Sequence, residues 1–379
     1  MQVKYIYVFL KNKIVSLDTI IPFCMEVNAQ CNIEFIFVVR DSDTYRSITE
    51  SNIVLLDAIN SIGGVINLSK DRYKLRHISK IFMLLYMFYI VMRINTKKDY
   101  IIHFGLFNQK PFSLLCFLLD KKRIVFSSKS SYGRDDNVKH NFLCTGMLLG
   151  FSDSWRYLKG DSATDNIPKI IIKKSRNLPT WINFIKEKSD MYINLELKKK
   201  LLIGERIIFF PIGRINLDFT MTNSKSFIET LKRMAQYSNK YPIFIKPHSS
   251  VKLDYIRKLI CDAEEDIKIK INYIFTKLHP SILASRAIAS IFVSNSTIIN
   301  EMYNLQVPII QCFYGYESRN HSCCLVPLKD LISPKADHVI TNYSGESLNK
   351  ILDELIKDKV PPVTYGIAQE NINCDLFCK

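Results

Sequence analysis

The chain has 379 residues, 47% apolar and 23% charged, enough for two ordinary domains with a core each and far too apolar for a disordered polymer. Lys and Arg number 52 against 36 Asp and Glu, a formal charge of +16. Such a balance asks for anionic partners: phosphorylated or acidic substrates, an anionic lipid surface, or nucleic acid.

Strand and helix patterns alternate from the start. Residues 5–10 read as a strand, 17–27 as a helix, and 33–39 as a second strand ending at Arg40-Asp41; 54–62 fits either type. A long apolar helix is expected over 77–95, a strand over 100–104, a helix over 111–119 opened by proline, and a strand over 123–127. That strand opens into a polar turn, 128–137. Residues 161–200 change character, with Asn-, Lys- and Pro-containing segments, Trp181 and a charged helix over 195–202, and read as an interdomain connection. A second series follows: strands over 206–210, 243–245, 267–275, 291–293 and 307–312, with helices over 224–238, 251–264, 279–286 and 297–305, and a terminal helix over 344–357. The expected fold is therefore α/β, with two doubly wound Rossmann-like domains facing a central cleft. Their boundaries fall at 1–200 and 201–345, with 346–379 as a C-terminal helix and tail.

Three further features narrow the field. Basic residues form short, separated clusters at 121–123, 173–174 and 198–200, with no RNA-recognition consensus, zinc-finger spacing or basic zipper, so nucleic acid is set aside in favour of an anionic membrane surface. Ten cysteines lack C-x-x-C spacing and follow no secretory signal, which predicts reduced thiols in a cytosolic protein; His321 with Cys323 and Cys324 lacks a fourth metal ligand. The stretch 81–92 (IFMLLYMFYIVM) is too short to span a bilayer; it suits a core helix, or an interfacial one with Lys80, Arg93, Lys97 and Lys98 snorkelling.

The most informative segments are FIKPHSS at 244–250 and IFVSNSTIINEM at 291–302. Each reads as an apolar strand running into a small polar turn and then a helix. Such units bring backbone N–H groups, hydroxyls and a helix N-terminus to one edge of a parallel sheet, where anions bind. One turn carries Lys246 and His248, the other three hydroxyls, a combination suited to phosphate and so to a nucleotide-utilising enzyme. There is no Walker A loop, no G-x-G-x-x-G and no H-E-x-x-H. Asp41-Ser42-Asp43 ends an early strand and does not stand in a metal-binding setting.

Taken together, two doubly wound halves with a K-P-H-S turn and a later S-N-S-T turn resemble the GT-B glycosyltransferases. The nearest likeness is to bacterial capsule and lipopolysaccharide enzymes using CMP-activated acidic sugars: sialyltransferase-, polysialyltransferase- and Kdo transferase-like proteins. That family carries an acidic motif, an H-P motif and a serine-rich motif; here they appear as Asp135-Asp136-Asn137, His248-Ser249 and Ser294-Asn295-Ser296. Asn stands in place of Gly and Ser in place of Pro. The resemblance implies an acceptor-side N-terminal domain, a nucleotide-sugar-binding C-terminal domain, and metal-independent transfer to a glycan or lipid-linked glycan. The expected location is the cytoplasm, with the basic surface and the apolar 81–92 region holding the enzyme at the inner face of the cell membrane near a lipid-linked acceptor, and no cofactor is expected beyond the nucleotide-sugar co-substrate.

The residue roles follow. His248 would meet the leaving phosphate, or be satisfied by loop backbone; Lys246 would add charge, or face solvent. Ser249, Ser294, Asn295, Ser296 and Thr297 would bond phosphate oxygens, although Ser and Thr there also suit a helix cap. Glu301 would reach a ribose, or be a solvated helix residue. Asp136 or Asp135 would be the general base on the acceptor hydroxyl, although R-D-D-N also describes a surface turn. Arg134, Lys129 and Ser130 could bind a carboxylate, and Gly213 and Arg214 face the donor. His279-Pro280 is a competing H-P motif, explained by helix capping or by contact with the base. A UDP-sugar transferase, a CDP-glycerol-type phosphotransferase and a non-catalytic glycan or lipid binder are the rival readings.

Overall fold

A computed structural model describes residues 4–10, 17–50, 52–69, 76–108, 112–128, 142, 144–151, 156–158, 162, 164–173, 175–200, 206–213, 220–248, 251–294, 296, 298–314, 328–341, 347–357, 372, 374 and 377. The chain divides into two compact units, Met1–Phe184 with Ala368–Lys379, and Ile185–Ile367.

The first unit is built on seven strands: β1 (Tyr5–Phe9), β2 (Glu34–Val39), β3 (Gly63–Asn67), β4 (Tyr100–His103), β5 (Ile124–Ser127), β6 (Met147–Gly150) and β7 (Lys169–Ile171). All pair in parallel in the order β3-β2-β1-β4-β5-β6-β7. Strands β1, β4 and β5 are almost wholly buried and nearly continuous in apolar residues, as a parallel sheet covered on both faces requires. Its helices are α1 (Leu17–Cys31), α2 (Ser42–Thr49), α3 (Ile53–Ile62), α4 (Arg76–Lys97), α5 (Phe112–Leu115) and the start of α6 (Pro179–Lys199). The ambiguous stretch 54–62 is thus helical. Sequence reading passed over α2, β3, β6 and β7, and the region read as connection contains both β7 and a 21-residue helix. Strand β7 is three residues long and half-buried, too short to show a periodicity.

Asp99 anchors the start of β4. It is fully buried, accepts from the Tyr5 amide (3.1 Å) and from Arg93 Nε (2.6 Å), and so pins the end of α4 to β1. Glu26 does similar work for α6, accepting from the Thr180 amide at 3.2 Å. Phe377 is fully buried, with its ring edge-on to Phe23 and Tyr100 at 5.8 and 5.3 Å, which places the tail in the first unit. Cys31 and Cys144 are each disulfide-bonded, against the expectation of reduced thiols, whereas Cys24, Cys312 and Cys374 are buried thiols and Cys261 an exposed one.

Among its described residues the second unit has six strands: β8 (Ile207–Ile212), β9 (Ile243–Pro247), β10 (Tyr273–Phe275), β11 (Ala287–Phe292), β12 (Ile309–Phe313) and β13 (His338–Thr341). They are parallel in the order β10-β9-β8-β11-β12-β13. Its helices, besides the rest of α6, are α7 (Thr220–Met234), α8 (Leu253–Ile267), α9 (Pro280–Ala284), α10 (Ile298–Asn304), α11 (Leu328–Leu331) and α12 (Leu348–Lys357). Ile208, Phe210 and Ile212 of β8 point into a core made with Phe227 and Leu231 of α7, Ile256 and Leu259 of α8, and Leu348 and Ile351 of α12. Helix α12 therefore packs within the second unit, while Phe377 belongs to the first. Two doubly wound parallel sheets are the fold class read from the sequence.

Candidate functional site

In the second sheet the strand order reverses between β8 and β11, the kind of switch point at which open parallel α/β sheets bind ligands. Three expected residues stand at the C-terminal edge of its strands. Gly213 follows β8, His248 follows β9 and Ser294 lies just beyond β11; all three are half-buried. Strands β8 and β9 pair Ile212 with Pro247, and β8 and β11 pair Phe209 with Ser290. The β8–β9 ladder thus ends one residue short of Gly213 and His248, and Ser294 lies two residues past the end of β11.

Lys246 has a definite employment. Its Nζ donates to the carbonyls of Lys277 (3.3 Å) and Leu278 (2.8 Å), cross-linking the end of β9 to the loop after β10. The His248 carbonyl accepts from the Val251 amide at 3.0 Å. Ser296 caps the start of α10, its Oγ accepting from the Ile298 amide at 3.3 Å. Its hydroxyl therefore has the capping role that Ser favours.

His279 and Glu301 meet beneath this edge. His279 is the N-cap of α9 with Pro280 in the first turn, and its Nδ1 accepts from the Ser281 amide at 3.3 Å. The same nitrogen lies 3.4 Å from Glu301 Oε1, and both side chains are 5% exposed. Ser281 Oγ donates to Glu301 Oε1. Two proton positions serve this geometry: with Nδ1 bare the ring caps α9, and with Nδ1 protonated it turns its N–H to the carboxylate. In either form the Ser281–Glu301 hydrogen bond ties α9 to α10. Glu301 is thus no solvated helix residue; it locks together the segments that follow β10 and β11. Ser281 escaped notice because its partner is twenty residues away.

Asp135, Asp136, Lys129, Ser130, Arg134, Arg214, Ser249, Asn295 and Thr297 lie outside the described residues. In the first unit, Asp41 Oδ1 accepts from the Thr44 amide at 2.8 Å, so the first carboxylate of the D-x-D letters caps α2. Among the described residues no group of three or more His, Cys, Asp and Glu could hold a metal ion. His103, unremarked in the sequence, is fully buried at the end of β4. Its Nδ1 accepts from the amides of Gly105 (3.2 Å) and Leu106 (3.1 Å), shaping a turn in which Gly105 has φ +89°.

No family model matches the chain, and no curated protein matches it. Among solved structures it is similar to a UDP-GlcNAc 2-epimerase from Methanocaldococcus jannaschii (11% identity, 99% of this chain and 96% of that one, TM-score 0.49). It is also similar to a glycosyltransferase from Rickettsia africae (8% identity, 95% and 90%, TM-score 0.46). A third likeness is to Anabaena HepE in complex with UDP and glucose (10% identity, 94% and 91%, TM-score 0.40). With scores below 0.5, these likenesses decide nothing about the chemistry of this chain.

Proposed function

We propose that the second unit binds the phosphate end of a nucleotide sugar at Gly213, His248 and Ser294, and that the chain is a GT-B glycosyltransferase of bacterial surface-polysaccharide synthesis. What supports this reading is that Gly213, His248 and Ser294 each follow the C-terminal end of one of three neighbouring strands, β8, β9 and β11, where the strand order reverses. Gly213 lets backbone approach a phosphate without a Cβ in the way. The His248 ring and Ser294 hydroxyl supply hydrogen-bond donors to an oxygen that gains charge as the sugar leaves. In the reaction, a bond forms between the acceptor oxygen and the anomeric carbon while the bond from that carbon to the phosphate oxygen breaks. Asp136 or Asp135 takes the acceptor's proton. Arg214 and His248 stand in for a divalent cation at the leaving group. The donor we propose is a CMP-activated acidic sugar such as sialic acid or Kdo, and the acceptor a glycan or lipid-linked glycan at the inner face of the cell membrane.

Incubating the purified chain with CMP-, UDP- and GDP-sugars and measuring the free nucleotide released tests the reading. Release from the CMP-sugar alone supports the donor as proposed; release from a UDP-sugar moves the donor class and keeps the site. His248→Ala should lower the rate by about 10²- to 10³-fold, the usual cost of one donor to a developing anion. Absence of any release, together with no nucleotide-dependent rise in Tm, overturns the proposal.

A further inference from the structure

Helix α4 departs from the pattern of a surface helix. Its inner face is ordinary: Met87, Ile90, Val91 and Ile94 are buried in the core of the first unit. Its outer face is apolar as well. Ile81, Phe82, Leu84, Leu85, Phe88, Tyr89 and Met92 are each between 45% and 60% exposed. At about 100° per residue these seven fall within an arc of roughly 160°, opposite the buried stripe, where polar residues normally stand. Next to them lie α5 and the segment that follows it. Leu115 packs against the same core, and Asn95 of α4 donates to the Leu118 carbonyl at 2.6 Å. Leu114, Phe117 and Leu118 there are 63%, 85% and 56% exposed. Exposed aromatic and aliphatic side chains present about 100 Å² each, so the patch is on the order of 1,000 Å², against the ~300–600 Å² of an ordinary monomer's largest.

Charge identifies the occupant. Between residues 76 and 123 stand nine Lys and Arg (76, 80, 93, 97, 98, 110, 121, 122 and 123) and two acids, Asp99 and Asp120. Asp99 is buried against Arg93, and Asp120 accepts from the Lys122 amide and lies 4.0 Å from Arg123 Nε. Lys97, Lys98, Lys121 and Lys122 are exposed at one end of the patch. The Asp120 amide donates to Asn95 Oδ1 at 3.2 Å, which brings the two lysine pairs to the same end. A second copy meeting this face by two-fold symmetry would set lysines against lysines. An anionic bilayer satisfies both components, apolar side chains in the acyl boundary and ammonium groups among the headgroups. No helix among the described residues is long and apolar enough to cross a membrane, so the contact is one of lying on the surface.

We infer that the outer face of α4, with Leu114, Phe117, Leu118 and the lysines at 97, 98, 121 and 122, is a docking surface for an anionic phospholipid bilayer. It rests on the first unit alone and stands whatever the nucleotide bound by the second. The test is flotation of the full chain with vesicles of phosphatidylcholine, with and without one-third phosphatidylglycerol. Binding is expected to the anionic vesicles, to weaken with added salt, and to fall about fivefold for each lysine changed to Gln. Phe88→Ser and Phe117→Ser should each lower it about tenfold, with far-UV spectrum and Tm unchanged because both rings are exposed. Should an apolar variant fold poorly, Lys121→Gln/Lys122→Gln decides in its place. Equal binding to both vesicle types, or variants that bind as well as the parent, overturns the proposal. So does reversible self-association abolished by Phe88→Asp in a chain that ignores vesicles, which would mark a second copy as the occupant. Nucleotide-dependent thermal shift on the same variants keeps failure here distinct from failure of the donor site.

Discussion

Replacing Glu301 with Ala should be the most destabilising single change at the edge of the second sheet. The carboxylate and the His279 ring are each 5% exposed, and Ser281 is 4% exposed, so water cannot substitute for what is removed. Deleting one partner of a buried hydrogen-bonded charge costs about 3–5 kcal/mol. Glu301→Gln keeps an acceptor for Ser281 Oγ and should cost nearer 1 kcal/mol, the net worth of one hydrogen bond. With a urea dependence of about 2 kcal/mol per molar, the Ala variant's midpoint should fall by roughly 2 M. The two tryptophans, Trp155 and Trp181, both belong to the first unit, so their fluorescence reports that unit and far-UV circular dichroism reports both. The expected outcome is an early dichroism transition beside an unmoved tryptophan transition. A Ser281→Ala/Glu301→Ala cycle should show coupling of about 1 kcal/mol or more, since the residues touch. Ala and Gln variants of equal stability, or a coupling near zero, would refute the lock.

Two other outcomes follow from burial. Asp99→Ala strips the Tyr5 amide and Arg93 of a fully buried acceptor, and should lower the stability of the first unit by about 3 kcal/mol, read as a shift in the tryptophan-detected urea midpoint. In the second unit, burial pushes the Cys312 thiol up to about 12 from 9.0, and burial also leads in raising the Tyr314 and Tyr237 hydroxyls to about 12 from 10.0. Because the folded state holds these protons more tightly, its stability is whole below pH 9 and declines as pH rises from there toward 12. Melting temperatures across that range should show the fall, and an aromatic disulfide reagent at pH 8 should label exposed Cys261 while Cys312 reacts only on unfolding.

What the sequence disclosed follows the strength of its patterns. Strands β1, β8, β9 and β12 are runs of buried apolar residues next to polar turns, and they were legible to within a residue or two. Strand β8 reads as ending at residue 210 because Pro211 follows, yet pairing continues through Ile212; a proline is tolerated near a strand's end, where one ladder donor fewer matters little. The short edge strands β3, β7 and β13 are only half-buried and lack a contrast between faces. The places of His248 and Ser294, just past strand ends, were legible because each abuts a strong strand. The fates of Lys246 and Glu301 were not, since the Leu278 carbonyl and the Ser281 hydroxyl lie 32 and 20 positions from them. The twelve-residue apolar run was legible as a helix, but only the structure divides it into a core face and an open one.

Phe377 sits between Phe23 and Tyr100, so a residue near one end of the chain fills a notch among residues near the other. On a ribosome, the first 184 residues emerge while that notch is still unfilled, and almost two hundred more must be made before its plug arrives. Domains usually mature in the order of their synthesis. Here the earlier half is the one that must wait, and the second unit, whose core among the described residues ends at Ile356, has those residues first.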